Sequence, residues 1–242
     1  MERLGIIGGS AFLAEVEPEG SETRRIETDR GEVNVHVGQS YVFLRRHGDG
    51  GYHPPHRIPH HAHILALHSL GVRRVVGLCS VGALHPELRP GTVVVPEDYL
   101  SFHRPPTFAG DERLHIVPRL DAGLCRMLVQ VARSTPGHVH DGGVYAETPG
   151  PRFETKAEIR LLSDYADIVG MTGASEATLL QEKGIGYAIL GIVDNFAHGI
   201  GVRPLTIDAF DEQLKANGAR ARSILAALIE RSTAEVDAGT RT

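Results

Sequence analysis

Tyr187-Ala-Ile-Leu-Gly-Ile-Val-Asp-Asn-Phe-Ala-His-Gly199 begins as an apolar run and ends in polar residues. The run Tyr187 to Val193 is short and rich in branched side chains, so it reads as a buried strand. Upstream lie a helix over Ala174 to Glu182, a strand over Asp167 to Gly170, a helix over Lys156 to Asp164 and a strand over Gly143 to Ala146. Downstream, Ile207 to Ser232 reads as one long helical region. Nearer the N-terminus, Leu4-Gly-Ile-Ile-Gly-Gly-Ser10 reads as a strand entering a Gly-rich turn. Val33 to Val37 and Tyr41 to Leu44 form paired strands across Gly38-Gln39-Ser40. His60 to Leu70 and Asp121 to Arg133 read as helices, and Arg74 to Leu78 and Thr92 to Val95 as strands. Strands alternate with helices, which predicts an α/β fold: one domain over residues 1–242, a central mixed sheet flanked by helices, and a frayed tail after about residue 232. Ligands of such sheets sit at the carboxyl ends of the strands. The polar and Gly-rich segments of this chain fall at those ends.

Composition narrows the partners. The chain has 242 residues, a net charge of -5 and scattered basic residues, so a polyanion partner is not expected. Trp is absent and aromatics are 5%, too few for a stacking surface along single-stranded nucleic acid. No apolar run reaches the roughly 18 residues of a membrane helix. The N-terminus enters a strand at once, which argues against a signal peptide. Cys79 and Cys125 are the only cysteines, too few for a disulfide framework, so a reducing, cytoplasmic setting is expected.

Five short segments and the end of the last strand carry candidate chemistry. Gly8-Gly9-Ser10 lets backbone approach an anion and adds a hydroxyl, although alone it is equally a plain turn. Arg46-His47-Gly48 ends a strand and suits phosphate through charge-assisted hydrogen bonds. Leu78-Cys79-Ser80-Val81-Gly82-Ala83 reads as a loop of small residues that exposes backbone N–H groups; nothing local would activate Cys79 as a nucleophile. Gly170-Met171-Thr172-Gly173, with Glu176 beyond, places a flexible apolar side chain beside a hydroxyl. Gly150-Pro-Arg-Phe-Glu-Thr155 sets the Glu154 carboxylate behind a rigid turn, and Asn195 ends the last strand. An amide and a carboxylate suit a 6-oxopurine edge. The amide accepts from a protonated N7 and donates to O6, and the carboxylate accepts from N1–H.

His53, His56, His60, His61 and His63 form a dense cluster. Their spacing fits no zinc signature, and Pro54, Pro55 and Pro59 interrupt the segment, so no metal is expected there.

Taken in order, these motifs resemble those of the methylthioadenosine/methylthioinosine phosphorylase branch of the trimeric purine nucleoside phosphorylases. The matching segments are Gly5-Ile-Ile-Gly-Gly-Ser10, Arg46-His47-Gly48, Pro55-His-Arg-Ile58, Cys79 to Gly82, Gly150 to Thr155 with Ala157-Glu158, and Gly170-Met-Thr172 with Glu176. The resemblance runs nearly the length of the chain. It implies phosphorolysis of a purine nucleoside, with inorganic phosphate as co-substrate and no further cofactor. It assigns phosphate to Ser10, Arg46, His47, Thr172 and the backbone near Cys79 and Ser80, the ribose to Met171, and the base to Asn195 and Glu154. It implies a homotrimer, or a dimer of trimers, with the active site at the subunit boundary. His115 would reach the 5' side of a neighbour's site, and Leu205 and Ile207 would line the 5' group.

Family members that act on 6-oxopurines carry Asn at the N7 position, and those that act on 6-aminopurines carry Asp. Ungapped alignment puts Asn195 there, whereas a slip of one residue puts Asp194 there and reverses the base. The expected substrate is S-methyl-5'-thioinosine, or inosine or guanosine; the alternative is S-methyl-5'-thioadenosine. A nucleoside hydrolase and a non-catalytic nucleoside-binding protein are the remaining readings. The chain departs from the family at Ala11, Val81, Pro149, Ser175 and Asp194, and in the stretch His60 to His63.

Overall fold

The strand that contains Asn195 is longer than its apolar run predicts: it spans Gly186–Phe196 and lies at the heart of an 11-stranded sheet. A computed structural model describes residues 3–9, 20–111, 113–202 and 204–239, with side chains to 234. Ser10 and Ala11 lie outside the described residues. In chain order the strands are β1 (Leu4–Gly8), β2 (Glu22–Thr28), β3 (Gly31–Val37), β4 (Tyr41–Arg45), β5 (Arg74–Ala83), β6 (Val93–Val95), β7 (Asp98–Ser101), β8 (Val139–Asp141), β9 (Val144–Glu147), β10 (Ile168–Gly170) and β11 (Gly186–Phe196). The helices are α1 (His60–Ser69), α2 (Ala122–Arg133), α3 (Lys156–Leu162), α4 (Gly173–Glu182) and α5 (Ile207–Gly239).

β11 alternates strictly. Tyr187, Ile189 and Val193 enter one apolar cluster with Ile64 and Leu67 of α1 and Leu179 and Leu180 of α4. Ala188, Leu190 and Ile192 enter the other with Leu124 and Leu128 of α2 and Ile224, Leu225 and Leu228 of α5. Two helical layers therefore sandwich the sheet, because a strand's side chains alternate between its faces. α2 is fixed at its start by the Asp121 carboxylate, which accepts from Leu124 N. α3 begins with a capping box between Thr155 and Glu158.

The sheet is mixed. β5 runs parallel to β1 over Arg74 to Leu78, antiparallel to β10 at Gly82 and Ala83, and parallel to β11 from Arg74 to Ala83. Since β11 holds one edge throughout, β1 and β10 share the other. Cys79, Ser80 and Val81 span the gap between them. This corrects the loop expected over Cys79 to Ala83: the segment is strand, held in the β11 ladder despite its small residues. β2 was also not expected. It is mostly exposed and polar, and exists because it pairs antiparallel with β3 over its whole length.

One irregularity matters most. The β11–β5 register shifts between Val193 and Asn195, which leaves Asp194 as the extra residue of a bulge.

Candidate functional site

A cavity of about 380 Å³ opens at the gap in the sheet. Its wall is drawn from the carboxyl ends of β4, β5, β10 and β11, the turn before α3 and the first turn of α5. Arg46, His47, Ser80, Glu154, Met171, Thr172, Asn195 and Ile207 all line it, as do Tyr52, Val81, Gly82, Phe153, Val169, Phe210 and Asp211.

Arg46 is 1% exposed and bound in two directions. Its Nε and Nη2 donate to Glu176 at 2.6 and 3.0 Å, and its Nη1 donates to Leu78 O at 2.8 Å. Glu176 also accepts from the Tyr187 hydroxyl at 2.6 Å. Burial opposes the charge of Glu176, yet Arg46, His60 and Tyr187 together hold its carboxyl below the usual range. The charge on Arg46 is thus matched inside the protein. What it retains for the cavity is a spare N–H of its fork. Gly9 makes this geometry possible: a Cβ there would collide with Arg46 Nη1 and sit 2.8 Å from Leu78 O.

His47 donates Nδ1–H to His53 O at 2.8 Å, since a carbonyl only accepts. Its ring stacks on Tyr52 at 5.1 Å. Burial lowers its pKa to about 4, so at neutral pH it is uncharged. His47 therefore faces the cavity as a neutral ring.

Thr172 precedes α4. Its N–H and that of Gly173 donate to the Tyr145 hydroxyl at 3.2 and 3.1 Å. The N–H groups of Ala174 and Ser175 donate to Glu147 at 2.5 and 3.0 Å. These donors of the first turn are spent within the protein, so this end offers the cavity the Thr172 hydroxyl. The Ser80 hydroxyl donates to Asp194. Cys79 does not line the cavity: it is 1% exposed within the core, beside Arg46 and Thr172, and burial pushes its thiol up to about 11. The Cys79 side chain is therefore closed to the cavity; the expectation concerned the backbone near Cys79 and Ser80, of which Ser80 lines the cavity.

Glu154 is buried and accepts from the Thr148 hydroxyl at 2.5 Å, through one carboxylate oxygen. The Asn195 amide donates to Phe196 O at 2.9 Å, leaving a second N–H and its carbonyl oxygen. Gly82 faces it; a Cβ there would come within 3.1 Å of Asn195 Nδ2. Asp194 is off the cavity wall and 1% exposed. The bulge separates the two neighbours: the amide goes to the cavity, and the carboxylate goes to Ser80 and Asn217 of α5. Burial raises Asp194 to about 6, against the opposing pull of those two hydrogen bonds.

Of the three residues expected at the 5' group, Ile207 lines the cavity, while Leu205 and the exposed His115 do not line it in this single chain. Sequence reasoning missed Phe210, which stands three residues after Ile207 on the same side of α5. It meets Phe153 edge-on at 5.8 Å. It also left Glu176 without a role.

The histidines make separate contacts, although the rings of His60 and His63 meet edge-on at 6.5 Å. His61 bonds Thr107 O at 2.9 Å, His60 lies 3.9 Å from Glu176, and burial lowers His63 to about 3. Among the described residues, no group of three or more His, Cys, Asp or Glu is placed to hold a metal ion. No helix among them is long and apolar enough to cross a membrane.

Comparison with known proteins adds a second line. The profile of the family described as "Phosphorylase superfamily" matches residues 3–230. A protein of Archaeoglobus fulgidus named "Probable 6-oxopurine nucleoside phosphorylase" is 42% identical over 219 residues, which are 88% of this chain and 90% of that one. The "6-oxopurine nucleoside phosphorylase" of Pyrococcus furiosus is 37% identical, over 85% and 84% of the two chains. Methylthioadenosine phosphorylase from Schistosoma mansoni, solved with adenine, superposes with a TM-score of 0.83 at 26% identity, covering 98% of this chain and 92% of that one.

Proposed function

The chain belongs to the phosphorylase superfamily, and from that premise we propose that it catalyses phosphorolysis of 6-oxopurine nucleosides, with S-methyl-5'-thioinosine the leading substrate and inosine or guanosine the alternatives. It is a pentosyltransferase: a phosphate oxygen bonds C1' as the C1'–N9 bond breaks, and the bonding pair departs with the purine. The products are free base and a ribose 1-phosphate. The proteins named as 6-oxopurine nucleoside phosphorylases support the reaction.

One observation carries the base assignment. Asn195 lines the cavity with Glu154, whereas Asp194 is buried away from it. An amide with a spare N–H and a free carbonyl oxygen can donate to O6 and accept from N7–H, and so stabilise the purine as charge builds on it. Glu154 accepts from N1–H. A 6-aminopurine leaving with N7 protonated presents two donors on this edge, N6–H and N7–H, and Asn195 offers one acceptor oxygen and one NH2, which disfavours methylthioadenosine. Phosphate is assigned to Arg46, His47 and Thr172, with Ser10, and the ribose to Met171. Ile207, with Phe153 and Phe210, favours an apolar methylthio group over a 5'-hydroxyl.

The active form is assigned as a homotrimer, or a dimer of trimers, in the cytoplasm. His115, exposed and off its own cavity, is then available to a neighbour's 5' side. Phosphate is the only co-substrate required. Product analysis tests the reading: with methylthioinosine it predicts hypoxanthine and a methylthioribose 1-phosphate, in equal amounts and only when phosphate is present. Release of the free sugar without phosphate would make the protein a hydrolase.

A further inference from the structure

Asp194 is one of the residues at which the sequence departs from the pattern it resembles, and it has no place in the reaction as described. It is 1% exposed and lies in the β11 bulge next to Asn195. One oxygen, Oδ1, accepts from Asn217 Nδ2 at 2.6 Å. The same Asn217 nitrogen donates to Val193 O at 3.0 Å, so α5 grips both residues before Asn195. Gln213, one turn earlier on α5, donates to Asn217 Oδ1 at 3.1 Å and sets its amide. The other oxygen, Oδ2, receives the hydroxyl proton of Ser80, a residue of the cavity wall.

We propose that Asp194 is a positioning residue for the phosphorolysis proposed above: tied to α5 through Asn217, it holds the bulge that turns Asn195 to the cavity and sets the direction of the Ser80 hydroxyl. When Asp194 is ionised, Ser80 must donate to it, because a carboxylate only accepts. The Ser80 proton is then withheld from an anion in the cavity. When Asp194 is protonated, Asn217 still requires an acceptor at Oδ1, so the proton sits on Oδ2. Asp194 then donates to Ser80 Oγ, and the Ser80 hydroxyl turns its own proton to the anion. Anion binding and proton uptake by Asp194 are thereby coupled.

The surroundings favour such a switch. The shift of Asp194 to about 6 has burial as its first cause, opposed by the bonds from Ser80 and Asn217, and no charged side chain contributes. β5 presents Ser80 to it, and α5 presents Asn217. Arg220 of α5 is engaged instead with Gly91 O and His138 O. The titratable groups of the cavity itself are Arg46, His47, Tyr52, Glu154 and Asp211.

Sulfate is the probe, because it does not titrate in the relevant range and its binding needs no turnover. Calorimetry on the intact protein is expected to show sulfate binding that tightens about tenfold from pH 7.5 to pH 5. Asp194→Asn is expected to bind sulfate at pH 7.5 as tightly as the parent does at pH 5, with little further change on acidification. The substituted amide keeps its oxygen toward Asn217 and turns its NH2 to Ser80, as the protonated acid does. In turnover, Asp194→Ala is expected to lower nucleoside kcat about tenfold with KM nearly unchanged, and Asp194→Asn to restore most of it. Equal sulfate affinity and equal pH slopes in the parent and Asp194→Asn would overturn the switch. Equal kcat in Asp194→Ala and the parent would overturn the positioning of Asn195. A parent that binds sulfate in this way yet releases no base with phosphate would instead overturn the proposed phosphorolysis.

Discussion

Arg46 and Glu176 meet through two nitrogens and two oxygens, at 2.6 and 3.0 Å, with both side chains 1% exposed. They come from β4's end and from α4, so the pair ties the two sides of the cavity together. Removing one partner leaves a buried charge without compensation, at a cost of about 3–5 kcal/mol. Glu176→Ala is accordingly expected to lower the melting temperature by on the order of 10 °C. A change within about 2 °C, measured by calorimetry, would mean that the pair is replaced by water at little cost.

Gly9 lies against the same guanidinium. Gly9→Ala would press a methyl group on Arg46 Nη1 and on the Leu78 carbonyl. Backbone cannot yield as a side chain tip can, so Arg46 must move. Steady-state kinetics are expected to show the KM for phosphate raised about tenfold and the nucleoside KM changed much less.

In the proposed reaction, stabilisation of the leaving base is assigned to Asn195, which lines the cavity. Asn195→Ala is expected to reduce kcat/KM on 6-oxopurine nucleosides by about 10². Asn195→Asp is expected to shift preference toward 6-aminopurines, since a carboxylate accepts from an amino group and repels O6. A loss of only a few-fold in the first variant, or no shift in the second, would remove Asn195 from the base.

Asp194 also gives a test by stability alone. Its folded pKa, about 6, lies above its ordinary 3.8. Folding therefore favours the protonated form. The stabilisation is complete below about pH 3.8 and is lost as pH rises through about 6. At about 1.4 kcal/mol per unit, roughly 3 kcal/mol is at stake. Denaturant titrations of the parent and Asp194→Asn are expected to show the parent losing up to that much, relative to the variant, between pH 4 and 7. Parallel curves would place Asp194 in water.

Much of this was legible in residues. The alternation of Tyr187 to Val193 declares a strand buried on both faces, and the Asp121 and Thr155 caps declare helix starts. The order of the motifs declares the family. Elements made by pairing rather than burial were not legible. β2 is polar and forms only against β3, and Cys79 to Ala83 looks like a loop until β11 is laid beside it. Within the site, Asn195 and Glu154 could be named from their chemistry. That Asn195 rather than Asp194 reaches the cavity depends on one bulge, and nothing in the local sequence marks it. The pairing of Arg46 with Glu176 of a distant helix and the neutrality of the buried His47 were likewise hidden.

The most direct test is release of free base from methylthioinosine, inosine, guanosine and methylthioadenosine, each with and without phosphate. Phosphate-dependent release of hypoxanthine or guanine, fastest from methylthioinosine and with little adenine formed, is the predicted result. Adenine as the main product would contradict the placing of Asn195 at the base, and release that is indifferent to phosphate would contradict phosphorolysis itself.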